Sequence, residues 1–306
     1  MNTLEQMIND YSTYCKDQKK LDVKSTKAYA IDLEQFKQQI AIENAPVKTD
    51  ILAYIAYLHK NYKPRTVKRK IASIRAFLNY LEFEEIISEN PMKKIKTKFQ
   101  EPQVLPRTIS LTVIESILVV VYQEMKQAQT AYAFSSALRN TAMIELLFAT
   151  GLRVSELCSL NIDHIDLSNG NIRIMGKGKK ERILQIGNPE VISILRRYTE
   201  EKAEIIHKTG HVFVNRLSSR LSEQSVRFLI KRLCAKANIC QKITPHMFRH
   251  SFATLLLEED VDIRYIQRML GHSSILTTQI YKQVAMEKQR QILTTKHPRN
   301  RIAITV

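Results

Sequence analysis

The stretch from Thr244 to Tyr281 narrows most sharply what this chain can fold into. It reads TPHMFRHSFATLLLEEDVDIRYIQRMLGHSSILTTQIY. Thr244 offers a hydroxyl at a helix start, and Pro245 suits the first helical position, where a missing N–H is no loss. The apolar spacing predicts a helix to about Glu258, with Phe248, Phe252, Leu255 and Leu256 on its buried stripe. His246 and Arg249, three residues apart, project from neighbouring positions of one face. A second helix is predicted from Asp262. It buries Ile263, Ile266 and Leu270 and ends at Gly271, a residue that tolerates the left-handed conformation. His272 follows directly, and Tyr281 falls nine residues later in an expected third helix.

One at a time, these polar residues say little. A tyrosine near a helix end is usually a half-buried amphipathic residue. His246 and His250 have the spacing of a zinc-binding H-E-x-x-H helix, but the glutamate is missing and Arg249 would set a cation beside the metal. No metal site is expected there, and His250 is read as a residue that packs or that supports the groups around it. The ordered set says more. H-x-x-R-H, then L-G-H-S-S, then T-T-Q-I-Y resembles the C-terminal signature of the tyrosine recombinase (phage integrase) family, within it most closely the Xer recombinases. The likeness extends over nearly the whole chain.

Composition agrees with a nucleic-acid partner. The 306 residues carry a net charge of +17 and a pI near 9.7, which favours a polyanion. Cys15, Cys158, Cys234 and Cys240 form no C-x-x-C pair, so neither a disulfide framework nor a zinc site is indicated. The N-terminus lacks the basic-then-apolar pattern of a signal peptide, and the longest apolar run, Ile117 to Tyr122, is too short to span a bilayer. A cytoplasmic protein without a membrane anchor is expected.

Residues 1–90 read as helices only, starting at Leu4, near Lys24 to Thr26, at Thr49 and Asp50, and at Pro64. The last carries an apolar stripe of Val67, Ile71, Ile74, Leu78 and Leu81. Lys68, Arg69 and Arg75 lie opposite. Between Lys63 and Lys98 there are ten Lys/Arg against four Glu, as a phosphate-facing surface requires. Asn90 and Pro91 break the pattern, and 91–108, with Pro102, Pro106 and lysines that include Lys94 and Lys96, reads as a basic interdomain linker. Residues 109–306 form the second expected domain.

That domain resumes as helix, with Ile114, Ile117, Leu118 and Val121 on one face. Residues 122–139 read as longer than the usual Xer connection. ATGLRVSEL follows, where Gly151 permits a tight turn and Arg153 falls at a helix start, a place suited to an anion. On spacing alone, Arg153 and Glu156 are a helical i, i+3 ion pair. Strands are predicted at 162–165, 171–174 and 181–186, with Asn169 and Gly170 as a turn and GKGKK as a loop. The pattern GxxxxGK[ST] is absent, so this loop is not a nucleotide-binding P-loop. Further helices are expected from Pro189 and around Val226 to Leu233, the latter flanked by Arg220 and Arg227.

The resemblance implies a mainly α fold. An N-terminal four-helix, SAM-like core-binding domain precedes an α-helical catalytic domain with a small antiparallel β-sheet. It also implies a catalytic set of Arg153, Lys177, His246, Arg249, His272 and Tyr281, with Glu156 supporting Arg153. Lys68, Arg69, Arg75, Lys94, Lys96, Lys179, Lys180 and Arg220 are the expected DNA contacts. Tyr281 would form a 3′-phosphotyrosine, which stores the bond energy, so neither a metal nor another cofactor is expected. The implied partners are double-stranded DNA with paired recombination sites, a homo-tetramer or a hetero-tetramer with a second recombinase, and an accessory protein. The competing reading is a non-catalytic DNA-binding regulator that retains the fold. The tail beyond Tyr281 ends in Ile302, Ala303, Ile304 and Val306, an apolar strip expected to dock on a neighbouring protomer.

Overall fold

The computed structural model of the chain describes residues 3–41, 44–96, 107–175 and 181–271. It is mainly α-helical with one small antiparallel sheet, and it divides into two compact units, 1–103 and 104–306. No helix among the described residues is long and apolar enough to cross a membrane.

The first unit holds α1 (Leu4–Asp17), α2 (Val23–Ile40), α3 (Lys48–Asn61) and α4 (Pro64–Phe83). Local chemistry sets each start. Thr3 and Gln6 form a reciprocal capping box on α1. Asp22 caps α2 through the Ser25 amide, so that helix begins before the predicted Lys24. The Val47 amide donates to the Asp50 carboxylate, which moves the start of α3 ahead of the expected Thr49. The predicted stripe of α4 is buried throughout and joins Phe36, Tyr54 and Phe77 in one core. Pro91–Lys94, read from the sequence as the opening of the linker, forms a 3-10 turn capped by Asn90. Its Met92 is only 4% exposed within the first unit's core.

A polar cluster locks α2 to α4. Asp32 is fully buried and accepts hydrogen bonds from Arg69, from Lys70 Nζ at 3.1 Å and from Ser73 Oγ at 2.8 Å. Lys70, 2% exposed, also reaches Gln35, and its ammonium lies 5.2 Å from the Tyr62 ring centroid. Lys70 therefore leaves the basic surface on which its charge had been counted.

The second unit contains α5 (Leu111–Lys126), α6 (Ala131–Thr150), α7 (Val154–Cys158), β1 (Ile165–Asp166), β2 (Asn171–Met175) and β3 (Glu181–Gln185). After the sheet come α8 (Pro189–Glu201), α9 (Ala203–Thr209), α10 (Glu223–Lys236), α11 (Pro245–Glu258) and α12 (Ile263–Leu270). The stretch 122–139 is helix at both ends. Thr130 caps α6 through the Ala133 amide, leaving only 127–130 to connect α5 with α6. Ile162–His164 is a 3-10 turn rather than strand, because the Asn161 side chain accepts from the Asp163 amide and curls the backbone. The sheet order is β1-β2-β3, with Ile174 opposite Arg182. Helix α6 threads the core, burying Leu138, Met143, Ile144, Leu146 and Leu147. Upstream of α5, the Ile109 amide donates to the fully buried Ser251 hydroxyl at 2.6 Å, pinning that segment to α11.

Asp32→Ala strands the buried Lys70 ammonium and is expected to destabilise the chain by about 3–5 kcal/mol. Urea unfolding measures this, and adding Lys70→Met should recover a large part of the loss.

Candidate active site

The site is built where α6 ends. Gly151 closes that helix at φ +61°, and a Cβ placed there would lie 2.7 Å from Phe252 Cδ1 and 3.0 Å from Leu270 Cδ2. Only glycine lets the turn pass this close to α11 and α12 while holding a left-handed backbone. Two residues on, Arg153 is the N-cap of α7 with an extended backbone, and its side chain is 36% exposed.

Arg249 comes from α11 and is 4% exposed. Its Nη1 donates to the Gly151 carbonyl at 2.8 Å, and its Nη2 donates to the Leu270 carbonyl at the end of α12. One guanidinium thus ties the ends of α6 and α12 to α11, and its planar fork suits that task better than a lysine would. The cationic charge also lies favourably at two helix C-termini. The Thr244 hydroxyl makes no cap on α11; Pro245 sets the start there. The predicted stripe of α11 shifts as well. Phe248 is fully buried, whereas Phe252, Leu255 and Leu256 are half-buried, and Met247, Ser251 and Ala253 take the deeper positions.

Glu156 is 8% exposed and accepts from two arginines. Oε2 takes the Arg153 amide and Oε1 takes Arg153 Nη1, both at 2.8 Å. Arg182 on β3 then grips both oxygens, Nη1 to Oε1 at 2.9 Å and Nη2 to Oε2 at 2.8 Å, and sends Nε to the Met269 carbonyl at 3.0 Å. Burial pushes the Glu156 carboxyl up, but the hydrogen bonds and charges of Arg182 and Arg153 outweigh it and hold the carboxyl below its ordinary range. Arg182 was absent from the sequence-derived site. Its signal was an inverted alternation: in β3 the arginine faces inward beside buried Leu184, while Ile183 is 67% exposed.

His246 lies at the surface on the first turn of α11. Partial desolvation, then the charges of Arg249, Arg227 and Arg153, hold its imidazole below the ordinary histidine range, so it is neutral near pH 7 and able to accept a proton. His250, half-buried, is lowered by burial and by His246 and Arg249. The structure therefore brings Arg153, Glu156, His246 and Arg249 into one cluster and adds Arg182. Lys177, Lys179, Lys180, His272 and Tyr281 lie outside the described residues. Among the described residues no group of three or more His, Cys, Asp and Glu could hold a metal ion.

Of the expected DNA contacts, Lys68, Arg75, Lys96 and Arg220 are exposed. Lys94 is exposed and paired with Glu89, and Arg69 is half-exposed with its guanidinium on buried Asp32.

A helical unit is followed by a helical domain with a three-stranded sheet among the described residues, in which Arg153, Arg249 and His246 gather near the Gly151 turn. The phage integrase family model matches residues 120–288, and the phage integrase N-terminal SAM-like domain matches residues 8–85. The chain is 51% identical over 302 residues to a tyrosine recombinase of Agathobacter rectalis, covering 98% of both proteins. It is 34% identical to tyrosine recombinase XerD of Listeria monocytogenes, covering 97% of this chain and 100% of that one. Among solved structures it is similar to a XerH site-specific recombinase bound to a palindromic difH substrate in a post-cleavage complex. That match has a TM-score of 0.73 and 24% identity over 94% of this chain and 83% of that one, and shows likeness of fold. The chain belongs to the phage integrase family and is a tyrosine recombinase of Xer-like type.

Glu156→Gln should lower stability at neutral pH by about 1–3 kcal/mol through loss of the charge-assisted bonds. A depressed carboxyl contributes stability above its unfolded-state pKa and loses it as pH falls through the folded one. The melting temperatures of wild type and Glu156→Gln are therefore expected to converge as pH drops through and below the ordinary carboxylate range.

Proposed function

We propose that this protein cuts and rejoins DNA at specific sites through a 3′-phosphotyrosine and a Holliday-junction intermediate. It would serve Xer-like resolution of chromosome dimers or integration and excision of a mobile element. The observation that carries the reading is the gathering of Arg249, Arg153 and a neutral His246 at the Gly151 turn. Such a set clamps a phosphate and leaves a base beside it.

In this reading the Tyr281 oxygen attacks the scissile phosphorus and the bond to the 5′ oxygen breaks. A tyrosine hydroxyl ordinarily holds its proton to a pKa of about 10, so the site has to assist. His246 accepts that proton. Arg153 and Arg249 stabilise the charge that builds on the non-bridging oxygens, with His272 adding a hydrogen bond. Lys177, which lies between β2 and β3 in the sequence, protonates the leaving 5′ oxygen. The 5′ hydroxyl of a partner duplex then attacks the phosphotyrosine, releasing Tyr281 and joining the strands. Because the bond energy is retained in the phosphotyrosine, the scheme needs no nucleotide or metal. The assembly is proposed as a cytoplasmic tetramer on two duplex sites, with 91–108 following the DNA and the tail beyond Tyr281 docking on a neighbour.

Denaturing isolation of the protein from cells, followed by sequencing of attached DNA, tests the reading directly and identifies the target. Tyr281→Phe is expected to bind that DNA with an affinity close to wild type and to form no denaturation-resistant adduct. An adduct from this variant assigns the nucleophile elsewhere.

Lys177→Ala should slow cleavage of ordinary DNA by about 100-fold or more, as loss of a general acid does. A 5′-bridging phosphorothiolate leaves without a proton, so single-turnover cleavage of that substrate should return close to the wild-type rate.

A further inference from the structure

Arg182 occupies a position where the fold does not ask for charge. It points inward from β3, opposite Ile174 and beside buried Leu184, and its side chain is 12% exposed. An apolar residue of similar volume would fill that place without the cost of dehydrating a guanidinium. All three of its side-chain nitrogens are engaged instead. Two take the Glu156 carboxylate and the third takes the Met269 carbonyl. Its stem lies against Gly271, where an added Cβ would be 3.0 Å from Arg182 Cδ.

Charge counting within this cluster points to a purpose. Arg153 and Glu156 alone would sum to zero, and a buried carboxylate would draw the Arg153 cation to itself. With Arg182 the cluster of Arg153, Glu156 and Arg182 carries a net charge of +1. Arg182 makes the bidentate contact, whereas Arg153 gives one guanidinium nitrogen to Glu156 and keeps 36% of its side chain exposed. We propose that Arg182 is a positioning residue that neutralises Glu156 so that the Arg153 charge is left to act on the scissile phosphate. The inference rests on the strand-transfer reading above and assigns this arginine a part in it. The Met269 contact adds a tie from the same side chain to the end of α12, next to the carbonyl held by Arg249.

The test measures single-turnover covalent adduct formation on a nicked duplex that carries the sequence recovered by the adduct sequencing, with DNA binding followed by gel shift. Arg182→Met is expected to slow adduct formation by about 10- to 100-fold while binding changes less than about threefold, the scale seen when a supporting residue is removed. Adding Glu156→Gln removes the unbalanced carboxylate charge and should recover about fivefold or more of the lost rate, a strong departure from additivity. Arg182→Lys, which keeps the charge and loses the fork, should fall between Arg182→Met and wild type. If Arg182→Met reacts at the wild-type rate, or if Glu156→Gln recovers nothing in its background, Arg182 is a structural tie and the proposal fails. Should Arg182→Met not fold, Arg182→Gln with and without Glu156→Gln reads the same comparison. A wild-type protein that forms no adduct on this duplex sinks the strand-transfer reading itself, an outcome distinct from either.

Discussion

One buried carboxylate, Glu156, binds two guanidinium groups whose backbones come from α7's start and from β3, 26 residues from Glu156 in the chain. Both arginines donate hydrogen bonds to its oxygens, Arg182 through a bidentate fork, so their positions are set by hydrogen-bond geometry as well as by charge. A buried ion cluster of this kind contributes little to net stability against an apolar replacement. It does supply orientation. Arg153 is held at both its amide and its guanidinium, so its half-exposed side chain is oriented without help from a ligand.

Arg249 has the complementary task. Arg153 is held by an acid, whereas Arg249 is held by carbonyls, those of Gly151 and Leu270. The dipoles of α6 and α12, which end at those carbonyls, favour a cation at that point. The two arginines thus remain cationic by different means. Partial desolvation, and after it the charges of Arg249, Arg227 and Arg153, lower the affinity of His246 for a proton. An imidazole of lowered proton affinity beside two arginines follows from one packing arrangement. The glycine turn makes that arrangement possible, because any side chain at 151 would collide with Phe252 and Leu270.

The N-terminal unit uses the same physics for a structural end. Asp32, fully buried, gathers Arg69, Lys70 and Ser73 and locks α2 against α4. The cluster takes Lys70 out of what looks in one dimension like a uniform basic face and ties the half-exposed Arg69 to a buried acid. Lys68 and Arg75 stay exposed on the same helix. Basic residues in sequence are therefore not interchangeable as DNA contacts, and burial sorts them.

Much of this was legible in the sequence because it is local. Helix periodicity, the proline at the first position of α4 and α11, the αL glycines at 151 and 271, and the ordered motif around His246 and Arg249 each depend on residues within a few positions of one another. The starts of α2 and α3 fall one residue ahead of the sequence expectation, because the carboxylates of Asp22 and Asp50 satisfy amides there that apolar spacing does not report. What the tertiary structure alone decided is non-local. Arg249 finds the Gly151 carbonyl 98 residues away, and Arg182 finds Glu156 26 residues away. Lys70 leaves the surface for a carboxylate 38 residues away. A sequence states that a charge is present. Which opposite charge or carbonyl satisfies it is set by how the chain packs, since desolvation makes an unpaired buried ion too costly to keep.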